Sequence, residues 1–414
     1  MSSSGNHILG LDIGSMRIKA AVGEIKKDGQ LKLARVFRLP SAGLRKGMID
    51  DVGEATRAIN NVLGEIKKDF KLAHKNIFLN TGGANAKVQS SRGIVAVSRA
   101  DYEIYKDDIE RAIQASQAIS LPANRMIVHA ITREFIVDGV NEIKNPRGMT
   151  GNRLEANSLI IDAFAPAIRS LNKVVEISGG SVGGLIFGPL ASASAVLSKN
   201  QKDLGVMLID IGAATTTLCV YEEGKLLHIA VFPIGCGHVT NDLAIGLKTS
   251  IEGAEAAKIS FGYAVSKNVP GRDLIELNKI DSRAHNSVSR RFISEIVEIR
   301  LAEILELANN ELKHINRAGK LPAGVILVGG GAKMPGLVDL VKQELRLPAQ
   351  IGLPDLSNFE IASGDLNAEL EDPEYACCLG LLLWGRENYS PKFSSINFSF
   401  SSDWLKKMFG YFVP

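Results

Sequence analysis

At 414 residues, with 45% hydrophobic and 22% charged side chains, the chain is long enough for two or more subdomains and has a soluble, globular composition. A net charge of +3, with no basic tract and no aromatic–basic alternation, argues against a nucleic-acid partner. The opening residues lack a secretion-signal pattern, no apolar run approaches the ~20 residues of a membrane span, and the four cysteines read as reduced thiols in a cytosolic compartment.

Residues 7–83 read as strands at 8–13, 16–25 and 31–39, a helix near 53–70, and a strand Asn76-Ile77-Phe78-Leu79-Asn80 closed by Gly82-Gly83. Residues 84–162 interrupt that pattern and read as an inserted subdomain. It has a strand at 94–97, a helix at 106–119, strands across 125–137, and the loop Asn145-Pro146-Arg147-Gly148-Met149-Thr150-Gly151. A strand at 158–163 and a helix at 165–178 resume the first lobe, 1–83, which 163–198 and 373–386 complete. The second lobe, 199–372, opens with a repeat of the first strands. It continues with helices over 238–262 and 288–317 in a helical subdomain of about 238–320. A strand at 324–328 ends in Gly329-Gly330-Gly331, and a helix covers 335–345. Tyr375 to Trp384 reads as an apolar helix packed back on lobe one, 387–402 as a linker, and 403–414 as a separate element.

The repeat carries the chemistry. Asp12-Ile13-Gly14-Ser15 runs into a strand through Val22, and Asp210-Ile211-Gly212-Ala213 into one through Val220, each valine ten residues after its aspartate. Each is followed by an acidic-Gly turn, Asp28-Gly29 and Glu223-Gly224, and a second apolar strand. A repeat at this distance means two related lobes, since solenoid periods are far shorter. Each strand delivers an aspartate just before a Gly turn. Gly14 and Gly212 allow close backbone approach to a phosphate, and the turn N–H groups form an anion nest. Ser15, Thr215 and Thr216 add hydroxyl donors, and Arg17 lies within reach of a phosphate. Two aspartates beside a triphosphate repel it unless Mg²⁺ lies between, so Asp12 and Asp210 read as holding the metal through its waters. The Gly329-Gly330-Gly331 turn suits a flat purine. Glu255 and Lys258, three apart on one helical face, suit the ribose and base, or else form an exposed ion pair.

Other motifs are missing: there is no GxxxxGK[ST] loop, no clean GxGxxG after a strand and no HExxH. His129 and His285 stand alone and read as structural or surface residues. At the far end, Ser402 caps a helix that begins at Asp403. Trp404, Leu405, Met408, Phe409 and Phe412 share one face of it, and Lys406 and Lys407 flank that face, as in a helix lying in an anionic membrane surface.

These residues resemble the actin, Hsp70 and sugar-kinase ATPase superfamily over nearly the whole chain. Its phosphate 1, connect 1, phosphate 2, adenosine and connect 2 segments match 9–23, 188–197, 207–222, 325–337 and 375–384. Within it, Gly188-Pro189-Leu190-Ala191-Ser192, the helix entry at 238–244 and the loop at 143–148 resemble the bacterial cell-division FtsA family, and the insert sits where that family places its extra subdomain. The resemblance implies a two-lobed α/β actin-like fold, ATP binding and actin-like filaments of the chain with itself. It also implies tethering of FtsZ at the cytoplasmic face of the inner membrane, peripherally, at the septum, with other division proteins as partners. It places the FtsZ C-terminal tail on Arg290 and Arg300. Connect 1 carries no Gln or Glu to orient water, so the expectation is tight ATP binding with turnover below ~1 s⁻¹. Filament formation would strengthen a weak membrane helix by avidity.

Three competing readings follow from the same residues. A small-molecule kinase of the sugar-kinase branch needs a general base, for which Asp101, Asp138 and Asp162 are candidates. An Hsp70-like chaperone needs a further β domain, for which the residues after Trp384 leave no room. A pilus-assembly adaptor of the same fold is the third.

Overall fold

The computed structural model describes residues 6–388, apart from 46, 84–85, 282–286 and 363–364. The chain opens with a meander, β1 (Asn6–Ile13), β2 (Arg17–Ile25) and β3 (Leu31–Pro40). A small hairpin, β4 (Leu44–Arg45) and β5 (Met48–Ile49), leads to α1 (Val52–Asp69) and β6 (Ile77–Thr81). Then follow β7 (Lys87–Ala96), α2 (Lys106–Gln117), β8 (Arg125–Val137), β9 (Val140–Ile143) and β10 (Arg153–Phe164). Next come α3 (Ala165–Ile177), β11 (Val182–Phe187), α4 (Gly188–Val196) and α5 (Lys199–Leu204). A second meander is β12 (Val206–Ile211), β13 (Thr216–Glu222) and β14 (Lys225–Phe232). After it lie α6 (Cys236–Leu247), α7 (Ile251–Phe261), β15 (Leu274–Glu276), β16 (Ser287–Ser289) and α8 (Arg290–His314). The chain continues through β17 (Val325–Val328), α9 (Leu337–Leu345), β18 (Ala349–Ile351), β19 (Glu360–Ile361), α10 (Asp365–Leu370) and α11 (Ala376–Asn388).

Two sheets share one plan. The first runs β11-β6-β1-β2-β3-β19 and the second β14-β13-β12-β17-β18. In each, the aspartate-bearing strand pairs antiparallel with the next strand of its meander and parallel with a later one: β1 with β2 and β6, β12 with β13 and β17. Both central strands are apolar on both faces, as strands covered from two sides must be. Ile8, Leu9, Leu11 and Ile13 are buried in one, and Met207, Leu208, Ile209 and Ile211 in the other. α1 shows how a flanking helix is specified. Asp51 caps it by accepting the Glu54 N–H at 2.8 Å, Lys67 and Lys68 close its last turn, and Ile59, Val62, Leu63 and Ile66 form the buried stripe.

The sheets are joined through α4, which follows β11 of the first sheet yet also packs on β12 and β13 of the second, and through α11, which follows β19 of the first sheet, packs on β1, β2 and β6 and meets α4. The two helices cross at Ala191 and Gly380. The inserted segment forms a sheet of its own, β7-β10-β8-β9. α2 covers one face, lying so close that a β-carbon on Gly93 would overlap the Ala112 carbonyl. The other face meets the second lobe, where Ile131, Leu159 and Ile161 share a core with Leu226 and Ile229.

The expected single helix over 238–262 is two. Lys248 takes a left-handed conformation with φ 52°, and Ser250 then caps α7 by accepting the Gly253 N–H at 3.1 Å. The strands β9 and β11 were not anticipated. Gly183 and Gly184 weaken β11 as a sequence signal, and Gly184 is there because its backbone lies against the ring of Phe78. Among the described residues, no helix is long and apolar enough to cross a membrane.

Candidate functional site

The two Gly turns have the same hydrogen bond: Gly14 N–H donates to the Arg17 carbonyl at 3.1 Å, and Gly212 N–H to Thr215 at 2.9 Å. Beyond each turn the antiparallel register decides what faces the aspartate. Asp12 lies opposite Lys19, and directly opposed residues share a face of the sheet. Lys19 Nζ accordingly sits 2.7 Å from Asp12 Oδ2, while Asn80 at the end of β6 donates Nδ2–H to Oδ1 at 2.8 Å. Asp210 lies opposite Thr217, so its hairpin supplies no cation. Ser192 of α4 donates its hydroxyl to Asp210 Oδ2 at 3.3 Å.

The charges are coupled. Burial alone would depress the Lys19 ammonium, but Asp12, with Asp210 beyond it, outweighs burial and holds it well above the usual lysine range. Burial pushes the Asp210 carboxyl up to about 6, with the charge of Asp12 adding and Lys19 and Ser192 opposing. A third strand end closes in on the same carboxylate. Gly329 has φ 83°, and a β-carbon there would overlap Asp210 Oδ1, so only glycine fits. Asp12, Asp210 and the Gly329 turn therefore converge on one place.

Among the other expected residues, Gly14, Ser15, Gly212, Ala213 and Thr215 are half-buried around the turns, and Arg17 is exposed at the start of β2. Thr216 requires a correction. It is fully buried, and its Oγ1 has no hydrogen-bond partner, because the alternation of β13 turns it into the core and turns Thr217 toward Asp210. Glu255 and Lys258 are not an exposed pair. Lys258 is only 7% exposed and its Nζ reaches Glu255 Oε2 at 2.6 Å, Thr240 Oγ1 at 2.8 Å and the Cys236 carbonyl at 3.2 Å. The cluster ties α7 to the start of α6, whose first N–H groups bond the Gly212 and Ala213 carbonyls at 2.9 and 2.8 Å. It thus braces the second turn from behind. Gly331 packs on Ile211 and Cys236, and Gly330 lies beside Glu374. Lys19, Asn80, Ser192 and Thr217 were missed by sequence reading. Only Lys19 and Thr217 had a signal, the hairpin register.

Two family models match the chain: "Cell division protein FtsA" over residues 207–380 and "SHS2 domain inserted in FTSA" over 83–162. Cell division protein FtsA of Pseudomonas aeruginosa is 33% identical over 402 residues, which span 97% of this chain and 94% of the relative. The Bacillus subtilis FtsA is 32% identical over 96% of this chain and 88% of its own. The chain belongs to the FtsA family of cell-division proteins. The fold is actin-like. The type IV pilus PilM–PilN complex contains a chain of TM-score 0.66 at 17% identity, covering 92% of this chain and 98% of that one. MreB5 of Spiroplasma citri, solved with ADP, gives 0.53 at 13% identity, covering 91% and 95%.

α4 offers Ser192 to Asp210 and carries no Gln or Glu. None of the three carboxylates considered for a kinase base is free. Arg125 pairs with Asp162, Asp138 accepts the Asn152 and Arg153 N–H groups, and Asp101 accepts from Glu103 N–H and the Tyr105 hydroxyl. Arg290 donates Nε–H to the Phe261 carbonyl at 3.1 Å, and Arg300 forks onto Asp242 at 2.6 and 2.9 Å and also pairs with Glu303. On the two helices that carry this second pair, α6 and α8, Ile245 and Ile299 are 78% and 71% exposed. Among the described residues, no group of three or more His, Cys, Asp or Glu is placed to hold a metal directly. Two carboxylates from opposed hairpins, Asp12 on Lys19 and Asp210 on the Ser192 hydroxyl, are nevertheless the acceptor groups that suit a divalent cation held through water when phosphate supplies further negative charge. Trp404, Leu405, Lys406, Lys407, Met408, Phe409 and Phe412, and His285, lie outside the described residues.

Proposed function

We propose that this FtsA-family chain binds ATP with Mg²⁺ between its lobes, polymerises, and tethers the FtsZ ring as a peripheral protein on the cytoplasmic face of the inner membrane at the septum. The observation that carries the nucleotide reading is the convergence of Asp12, Asp210 and the Gly329 turn at the junction of two like sheets. Ser15, Thr215 and the N–H groups of both turns line the phosphate positions, with Arg17 and Lys19 as the cations. Gly329, Gly330 and Gly331 give a flat backbone surface for the purine. Asp12 and Asp210 hold the metal through water. The metal, when bound, neutralises charge on the phosphate oxygens.

Turnover is slow on this reading, below ~1 s⁻¹, because α4 presents a serine where a water-orienting carboxamide or carboxylate would be needed. The FtsZ tail, an acidic and apolar peptide, docks on the helical layer. On α6 and α8 it shares Arg290 and Arg300 with their internal partners and covers Ile245 and Ile299. The face of 403–414 that carries Trp404, Leu405, Met408, Phe409 and Phe412 enters the membrane surface, with Lys406 and Lys407 toward anionic headgroups.

Co-sedimentation with anionic vesicles tests this, comparing the full chain with one ending at Ser401, each with and without ATP. ATP-enhanced binding that disappears on truncation supports the membrane-tethered filament. Absence of binding in every arm removes it.

A further inference from the structure

The two hairpins are alike in backbone but not in charge. The position facing Asp12 across β1 and β2 is Lys19, and the position facing Asp210 across β12 and β13 is Thr217. Lys19 Nζ is 2.7 Å from Asp12 Oδ2, and both side chains are largely buried. Two carboxylates and one ammonium leave this place with a single net negative charge, too little to hold a divalent ion through water against bulk hydration.

We propose that Lys19 is the built-in counter-ion of Asp12, which keeps divalent metal out of the cleft until a nucleotide brings its own negative charge. This rests on the nucleotide reading given above and adds an order to it: metal and nucleotide enter together, and metal alone does not. The triphosphate draws the Lys19 ammonium, and Asp12 is then free for the metal's water shell. Asn80, which donates to the other oxygen of Asp12, keeps that carboxylate oriented during the exchange. Thr217 in the matching place has no charge to exchange, so the control is one-sided.

The test is Mn²⁺ binding to the nucleotide-free full chain, read from the loss of the free-ion spin-resonance signal. The wild type is expected to show no saturable site below ~1 mM, and Lys19→Met to gain one at least about tenfold tighter. Adding Asp12→Asn to Lys19→Met should remove the gain. Tight Mn²⁺ binding by the nucleotide-free wild type overturns the proposal, and so does a folded Lys19→Met chain that binds no better than wild type. If Lys19→Met fails to fold, Lys19→Gln replaces it, and the wild-type arm stands by itself. Retention of a fluorescent ATP analogue by the wild type is measured separately. Its failure would sink the nucleotide reading, whereas the Mn²⁺ comparison judges Lys19 alone.

Discussion

Gly380 of α11 lies against the backbone carbonyl of Ala191 in α4, so close that a β-carbon at 380 would overlap that oxygen. α11 lies on the first sheet and α4 also reaches β12 and β13 of the second, so this crossing is a joint between the lobes. Backbone cannot yield as a flexible side-chain end can, so Gly380→Ala must push the helices apart. A cost of about 2–4 kcal/mol is expected. Gly64, in the interior of α1 with open space around it, is the matched control. Gly64→Ala should gain about 0.5–1 kcal/mol in the same urea titration. Equal effects from the two substitutions would show that the crossing is not tight.

The neighbouring threonines of β13 should behave differently. Thr216 buries a hydroxyl without a partner, so Thr216→Val, which keeps the shape, should stabilise by about 1 kcal/mol and leave nucleotide retention unchanged. Thr217→Val should leave the fold alone and, by removing the hydroxyl from the face it shares with Asp210, loosen ATP by about 2–10-fold. Stopped-flow release of a fluorescent ATP analogue distinguishes them. Reversed roles would mean that the alternation of β13 is out of step opposite Asp210.

Much of this fold is legible in the sequence because its elements are strongly patterned. The repeated aspartate-Gly turns mark two hairpins, and the stripe of Ile59, Val62, Leu63 and Ile66 marks α1. The site is less legible for physical reasons. Asn80 and Ser192 reach their aspartates from distant elements, and nothing local announces it. Lys19 was within reach, since a two-residue alternation across the turn puts it opposite Asp12, but motif spacing alone does not track register. Glu255 and Lys258 have the same spacing whether exposed or buried. Only the packing of α7 on α6 shows that they form an internal brace. The break at Lys248 was hidden because lysine seldom takes the left-handed conformation found there.

His129 makes stability depend on pH. Its Nε2 accepts the Phe187 N–H at 2.9 Å where β11 enters α4, and its ring meets Trp384 at 5.5 Å. Burial lowers its pKa to about 3, so the folded imidazole stays neutral. The unfolded chain takes up a proton near pH 6.5 and the folded chain does not. This contribution is therefore fully present above that pH and is lost as pH falls toward 3, by up to about 1.4 kcal/mol per unit. Urea midpoints between pH 7.5 and 5 should fall in the wild type and fall less steeply in His129→Gln. The slope is the readout, because the substitution also lowers stability at every pH. Parallel slopes would remove His129 as the cause.

A second joint between the lobes is ionic. Arg38 on β3 of the first sheet lies 3.1 Å from Asp372 and 3.7 Å from Glu374, and Lys333, just past the Gly turn of the second lobe, lies 2.5 and 2.9 Å from the same two carboxylates. The carboxylates are anchored to the second lobe through the Gly329 N–H, which donates to the Pro373 carbonyl at 3.1 Å. Opening the lobes therefore stretches the Arg38 contacts first. The cations are more than one-third exposed, so the effect is modest and screened by salt. Arg38→Ala should speed release of the fluorescent ATP analogue about 2–5-fold at low ionic strength. Wild-type release should quicken as salt rises toward about 0.5 M, where the ionic contacts are screened, and the variant should respond little. Asp372 is a poor substitute for Arg38 in this test, because it also caps the turn at Glu374, at 2.9 Å. If Arg38→Ala releases nucleotide at the wild-type rate with the same salt dependence, the Arg38 contacts do not hold the lobes together.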